Sequence, residues 1–349
     1  MNKQVFRWLG WRISGAISIM PSPSDWPSSY IREMHAAVST SREVLASLAH
    51  RGTGGELDQV ERIVEGYENE VYRVETTQGD DVVIRIRRFG GTRSLGGAIS
   101  EARAIERARE AGVPGPEVLL VDMVTIDGED FPVMVQRAVP GRPFGQMWAI
   151  LDADQRYAAL AKIGEIIARL GQVPAPGDWA ARTRTEVEER RAERNLVLAA
   201  GFTPTEFDEM FAALERYVDT FPCPDPVLCH EDLGPNHIYL DEAGGVSGVI
   251  DFGDAGAGSL VHDLAVLRVR GPGLDIEPVL SGYHAPDNPL FRQQLDIDTL
   301  LVALFSLKIG VEKDDSACLA RASSLIRTLL RDPWLSADAQ VGGRAYLGR

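Results

Sequence analysis

Residues 227–251 constrain this chain more than any other stretch. Val227-Leu228-Cys229 is an apolar run that predicts a buried strand, and it opens directly into His230-Glu231-Asp232. Asp232 therefore emerges just past a strand end, where polar groups can converge on a ligand. Ile238-Tyr239-Leu240 predicts a short strand, Asp241 to Gly245 a turn, and Val246 to Ile250 the return strand. Folding that hairpin about its turn sets residue 240 opposite 247 and 237 opposite 250. His237 and Asp251 then share the open end of one ribbon, a few residues after Asp232. Singly, Asp251 suits a strand-end turn and His237 a satisfied loop histidine. Together the three predict one base-like and two ligand-like groups at a single site.

A second constellation lies upstream. Arg62-Ile63-Val64 leads to a loop containing Gly66 and Asn69, Val71 to Val74 alternates, Gly79-Asp80-Asp81 turns, and Val82 to Ile86 returns. Gly66 lets the backbone bend close enough for N–H groups to approach phosphates. Arg85 alternates to the face opposite Ile84 and Ile86. Its forked donors suit phosphate oxygens or a carboxylate. Arg87 shares that face and Arg88 follows, so a solvated basic strand end is the alternative. From Ser94 a helical run reaches Ala111, closed by Gly112 and Pro114. Ala98, Ala102, Ile105, Ala108 and Gly112 form its apolar stripe, with Glu101 inside it. A carboxylate on such a face needs a cation, and Arg85 is the best candidate.

These residues resemble the phosphotransfer core of the aminoglycoside and macrolide phosphotransferases, small-molecule kinases with the protein-kinase fold. The resemblance rests on His230-Glu231-Asp232, the ligand position five residues after Asp232, Ile250-Asp251-Phe252 and Gly253 to Gly258, and it covers residues 58 to 270. It implies an α+β, protein-kinase-like two-lobe fold: a small antiparallel-sheet N-lobe with one key helix, and a mostly helical C-lobe. On that reading residues 1–50 are an N-terminal extension with a linker and a helix. Residues 51–138 are the nucleotide-covering N-lobe, and 139–349 the C-lobe with the catalytic loop and substrate site. Asp232 would accept or orient the proton of the substrate hydroxyl, and His237 and Asp251 would hold Mg2+ on the phosphates of ATP or GTP. Arg85 would clamp those phosphates and Glu101 would fix Arg85. Gly66 and Asn69 would cover the nucleotide, and Gln136 and Ala138, in a hinge strand over residues 132–141, would meet its base.

The departures are specific. Most of the family has Asn where this chain has His237, and Asn236 stands one position earlier. Histidine here resembles the macrolide-kinase branch. Imidazole is a softer ligand that suits Mn2+ better than Mg2+, and a one-residue loop shift would put Asn236 on the metal instead. Ser259 stands where Asp is usual, while Asp263 returns before Leu264-Ala265.

Charge narrows the partners. With 51 acidic and 36 basic residues among 349, the formal charge is −15, which argues against nucleic acid. It favours cationic ligands such as aminoglycosides, amine-bearing macrolides or cationic peptide antibiotics, although acidity for solubility explains the balance equally well. No apolar run reaches membrane-span length. Residues 1–20 are broken by Arg12, Ser14 and Gly15, unlike a signal peptide. Residues 21–29 read as a Pro/Ser linker, and 41–50 as an amphipathic helix on Val44, Leu45 and Leu48. Cys223, Cys229 and Cys318 show no metal spacing, and an odd number suits a reducing cytoplasm. Beyond the hinge, Tyr157, Leu160, Ala161, Gly164, Ile167 and Leu170 predict one buried helical face. Residues 182–194 read as a charged helix, and Phe211, Leu214, Tyr217 and Val218 continue helical patterning. Two more helices are predicted over 296–309 and 319–330. The expected function is transfer of the γ-phosphoryl group of ATP or GTP to a hydroxyl of a small molecule, first an antibiotic. The alternatives are a metabolic kinase of an amino alcohol, sugar or ribosyl compound, and an inactive nucleotide-binding regulator. Oligomeric state is not specified.

Overall fold

The computed structural model describes residues 29–64, 66, 68–89, 94–271, 273–312 and 315–331. The readings of residues 1–20 and of the Pro/Ser linker through residue 28 lie outside them. In chain order the elements are α1 (Ser29–Ala36), α2 (Arg42–Thr53), β1 (Leu57–Ile63), β2 (Glu70–Thr76), β3 (Asp81–Ile86), α3 (Leu95–Glu110), β4 (Val118–Ile126) and β5 (Glu129–Arg137). Then come β6 (Arg142–Pro143), α4 (Phe144–Met147), α5 (Ala153–Leu170), α6 (Trp179–Ala192), α7 (Arg194–Ala199), α8 (Pro204–Thr220) and β7 (Val227–Cys229). The chain continues with β8 (Ile238–Leu240), β9 (Val246–Val249), β10 (Gly256–Gly258), α9 (His262–Arg270), α10 (Ile276–Tyr283), α11 (Pro289–Glu312) and α12 (Ser316–Leu329). Two compact units result: one runs to Leu151 and takes up Asn236–Ala255, the other holds Asp152–Pro235 and the chain from Gly256. Contacts thus group residues 139–151 and 236–255 with the amino-terminal sheet, where a division by chain order places them with the helices.

The first unit is built on an antiparallel sheet of order β1-β2-β3-β5-β4. Gly79 at φ 85° and Gly128 at φ 83° turn β2 into β3 and β4 into β5, conformations that cost glycine little. Strand alternation gives β3 two characters. Val82, Ile84 and Ile86 are fully buried with Val133 and Val135 against Leu45, Leu48 and Ala49 of α2. Val83 and Arg85 point the other way, beside their cross-strand neighbours Gln136 and Met134. The expected helix over 41–50 is therefore α2, and it closes one face of the sheet. Ser41 caps its start, accepting from the Val44 amide at 3.4 Å, and Gly54 ends it in the left-handed region.

The hairpin register holds where it matters for the site. Ile238 pairs with Val249 and Tyr239 with Gly248, and the Ile250 amide donates to the His237 carbonyl at 2.9 Å. A bulge then pairs Leu240 with Val246, one residue off the expected partner. In α3 the buried face is Gly97, Glu101, Ala104, Ile105 and Ala108. The expected stripe is rotated: Ala98 and Ala102 are only half-buried, and Ala104 takes their place.

The second unit is helical apart from a ribbon in which Cys229, Leu228 and Val227 pair with Gly256, Ala257 and Gly258. Its core sets Phe207, Met210, Phe211, Leu214 and Tyr217 of α8 against Leu300, Leu304 and Leu307 of α11 and Ile326 of α12. Helices α5 and α8 begin with capping boxes, Asp152 with Gln155 and Thr203 with Glu206. The expected face of α5 needs one correction. Tyr157 is 54% exposed, and Ala159, Ile163 and Ile166 extend the buried face instead. The close approach of α10, set by Gly164 and Gly282, where a Cβ would strike the facing backbone, fixes which side of α5 is covered.

Candidate active site

In the first unit the sheet delivers Arg85, α3 delivers Glu101 and the end of the hairpin delivers Asp251. Arg85 Nη1 pairs with Glu101 Oε1, and Arg85 Nη2 donates to Asp251 Oδ1 at 2.7 Å. Arg85 is 9% exposed and Glu101 6%, so neither is a solvated strand or helix end. Burial opposes the charge on Arg85, but the carboxylates of Glu101 and Asp251 outweigh it and hold the guanidinium above its ordinary pKa. The Arg85–Glu101 pair follows from the helical stripe. The link to Asp251, 166 residues away, has no local signal in the sequence.

Asp251 is backbone-strained, at φ 67° and ψ 61°. Among the described residues only four that are not glycine have positive φ, and Glu231, at 63°, is another. Each such residue costs on the order of 1–3 kcal/mol and persists where neighbours over-determine it, a pattern concentrated at functional sites. His237 Nε2 stands 3.8 Å from Asp251 Oδ2, too far for a hydrogen bond between them but close enough for one ion to meet both. Among the described residues no three His, Cys, Asp or Glu side chains form a ready-made metal cage. The pair nonetheless fits a divalent cation that takes one or two protein ligands and completes its shell with phosphate oxygens and water.

The remaining nucleotide candidates are also in this unit. Gly66 has φ 81°, and the space where a Cβ would stand is open to 4 Å. Asn69 lines a small pocket with Arg85, Arg87, Glu101 and Met134. Arg87 is paired to Glu68 at 2.9 Å. Gln136 is 5% exposed, and its Oε1 is buried without a hydrogen-bond partner among the described residues. The Ala138 amide is engaged by the Asp81 carbonyl at 2.9 Å.

The second unit holds Asp232, which is 1% exposed. Its Oδ1 is paired with Arg270, the last residue of α9. Nothing in the sequence links the two: a basic residue in a last helical turn reads as a complement to the helix dipole. The loop bearing Asp232 is fixed from behind. Asp263 accepts from the His230 amide at 2.8 Å and the Glu231 amide at 3.0 Å, and Glu231 pairs with Arg182. Burial raises Asp263 to about 6, partly offset by His262 and by those two amides. Ser259, at the position where Asp was expected, donates to Asp298 Oδ2 at 3.1 Å, which also receives the Tyr217 hydroxyl at 2.8 Å. That departure serves a buried polar cluster in the scaffold.

Residues 59–292 match the phosphotransferase enzyme family. An aminoglycoside 3'-phosphotransferase of Streptomyces fradiae is 30% identical over 191 residues, covering 51% of this chain and 66% of that protein, so the match spans just under two thirds of that relative's length. The GDP complex of an aminoglycoside 2'-phosphotransferase-IIIa superposes with a TM-score of 0.60 at 18% identity, over 83% of this chain and 98% of the other. A fructosamine-3-kinase homologue from Thermobifida fusca gives 0.58 at 19%, over 82% and 99%. At such identities these two structures speak for the fold, which is the protein-kinase-like one expected from the sequence.

Proposed function

This chain belongs to the phosphotransferase enzyme family, and from that premise we propose that it moves the γ-phosphoryl group of ATP or GTP to a hydroxyl of a small molecule, most favourably an antibiotic. The observation that carries this reading is the buried Arg85 held by Glu101 and Asp251. A guanidinium fixed on one side by a helix and on the other by a strained acid is pre-organised for phosphate. Asp232 positions the acceptor hydroxyl and takes its proton. Gly66 and Asn69 cover the phosphates, and Gln136 Oε1, buried without a partner among the described residues, suits a donor on the base edge. Ala138 contributes to the hinge only through atoms other than its amide. Mg2+, with Mn2+ as the alternative, would be held by His237 and Asp251, and when bound neutralises charge on the phosphates. Positioning and charge neutralisation then supply most of the rate enhancement.

The formal charge of −15 favours a cationic acceptor, and the free thiols of Cys223, Cys229 and Cys318 favour a reducing cytoplasm. Among the described residues no helix is long and apolar enough to cross a membrane. A metabolic acceptor is the second reading, favoured by the equal likeness to the fructosamine-3-kinase fold. The retention of Asp232 and Asp251 speaks against an inactive regulator. The test is a panel of hydroxylated antibiotics and sugar amines with ATP and GTP in parallel, read by mass gain of one phosphoryl group. Gain on an antibiotic supports the first reading and gain only on sugar amines the second. No transfer to any acceptor, with nucleotide bound, would leave the regulator.

A further inference from the structure

Residues 29–40 precede the family match, which begins at residue 59, yet they grip the loop between β1 and β2 at three points. At its entry, Arg62 Nη2 donates to the His35 carbonyl at 2.7 Å. At Gly66, the His35 Nε2 lies 3.1 Å from the carbonyl oxygen. A carbonyl only accepts, so the ring must carry a proton on Nε2. At the exit, Glu70 is fully buried and accepts from the Thr40 amide at 3.0 Å, the Thr40 hydroxyl at 2.7 Å and the Tyr72 hydroxyl at 2.6 Å. His35 is 1% exposed and lies against Phe89, ring centroids 4.9 Å apart, just beyond β3. Its Nδ1 is buried without a partner among the described residues. A buried acceptor lacking a donor is unfavourable, so the contacts to Gly66 and Phe89 must hold the ring in place.

The grip holds Gly66, whose backbone the proposed site uses, and both ends of its loop. Gly66 is left-handed and open on its Cβ side, free to meet a ligand there while its carbonyl is tethered on the other. A loop ordered in advance loses less conformational freedom when a ligand settles beneath it. We propose that residues 29–40 brace the nucleotide-covering loop, with His35 and Thr40 as positioning residues that strengthen nucleotide binding without touching the nucleotide. The proposal rests on the phosphotransferase reading for the identity of the ligand, but not for the grip itself.

The test uses the full chain and needs no acceptor. His35→Phe keeps the ring against Phe89 and removes the donor, His35→Gln restores a donor, and Thr40→Val releases the exit. ADP and GDP binding are titrated and amide hydrogen exchange is followed by segment. His35→Phe should weaken nucleotide binding about tenfold, the worth of roughly one hydrogen bond, and speed exchange in residues 64–69 alone. His35→Gln should recover most of both. Unchanged loop exchange in His35→Phe overturns the brace. Faster exchange throughout the β-sheet in both His35→Phe and Thr40→Val also overturns it, by making these contacts ones of general stability. If the unmodified protein binds neither nucleotide, the phosphotransferase reading fails, and the loop exchange alone still decides for or against the brace.

Discussion

Two arginines, one in each unit, each hold a carboxylate for which a role is proposed, and they do so in different company. In the first unit a single guanidinium, Arg85, is shared by Glu101 and Asp251. In the second, Arg270 pairs with Asp232. The pairs named set one cation against two carboxylates in the first group and one against one in the second. Exposure follows the same division: the Asp251 side chain is 35% exposed and that of Asp232 2%. A cluster that is acidic in sum, half-open and next to an imidazole is suited to receive a cation. An enclosed ion pair is suited to hold one oxygen in a fixed direction. On the proposed roles, the difference between binding charge and aiming a proton acceptor would lie in these two sets of partners.

The largest expected effects test that division directly. Asp232→Ala should lower kcat by about a thousandfold or more, the range for loss of a general base, while ADP affinity stays within about twofold. Asp251→Ala should lower kcat comparably and also abolish the dependence of nucleotide affinity on Mg2+ or Mn2+. Metal-dependent binding that survives Asp251→Ala would break the comparison at its root.

Arg270→Gln comes next. If the pair aims Asp232, kcat should fall about tenfold to a hundredfold with nucleotide KM unchanged, a loss confined to the transition state. A rise in nucleotide KM with kcat intact would move Arg270 out of this role. Glu101→Gln should have a smaller effect, about tenfold on nucleotide KM. Arg85 keeps Asp251 as a partner, so the guanidinium is loosened and not abandoned. Equal losses in these two variants would erase the distinction between the shared Arg85 and the Arg270–Asp232 pair.

How much of this was legible in the sequence depended on distance along the chain. The hairpin register that sets His237 beside Asp251 could be counted from the turn, because strand pairing across a short loop is a local rule. Glu101 declared its need for a cation by standing inside an apolar helical stripe, and Arg85 was the nearest candidate on the adjacent strand. The Arg85–Asp251 and Asp232–Arg270 links were not legible. Arginine, long and always charged, carries no periodic mark of the partner that tertiary packing will give it. Tyr157 failed for a related reason. Its spacing fits the helical stripe, but only the glycine-mediated approach of α10 decides which flank of α5 is covered. Residues 29–40 were read only as part of an N-terminal extension, and both the helix over Ser29–Ala36 and the grip on Gly66 and Glu70 required the fold.

The same division predicts where pH should act, with the smallest effect on rate. Arg85 is held above its ordinary pKa by two acids, so its guanidinium keeps its charge between neutral and moderately alkaline pH. The second unit contains His262, whose Nδ1 lies 3.0 Å from Asp298 Oδ1. Burial is the largest single influence and opposes its charge, but Asp298, Glu231 and Asp263 together outweigh burial and raise the ring to about 9. A histidine raised above its ordinary value near 6.5 stabilises the fold fully below that value and loses the contribution as pH climbs through about 9. Chemical unfolding between pH 7 and 10 should therefore show a decline on the order of 1–3 kcal/mol. His262→Gln should flatten that decline and leave kcat at pH 7.5 within about twofold, since the ring acts on the scaffold behind the loop. A decline that persists undiminished in His262→Gln would show that the titrating group lies elsewhere, and the charge balance assigned to the second unit would have to be redrawn.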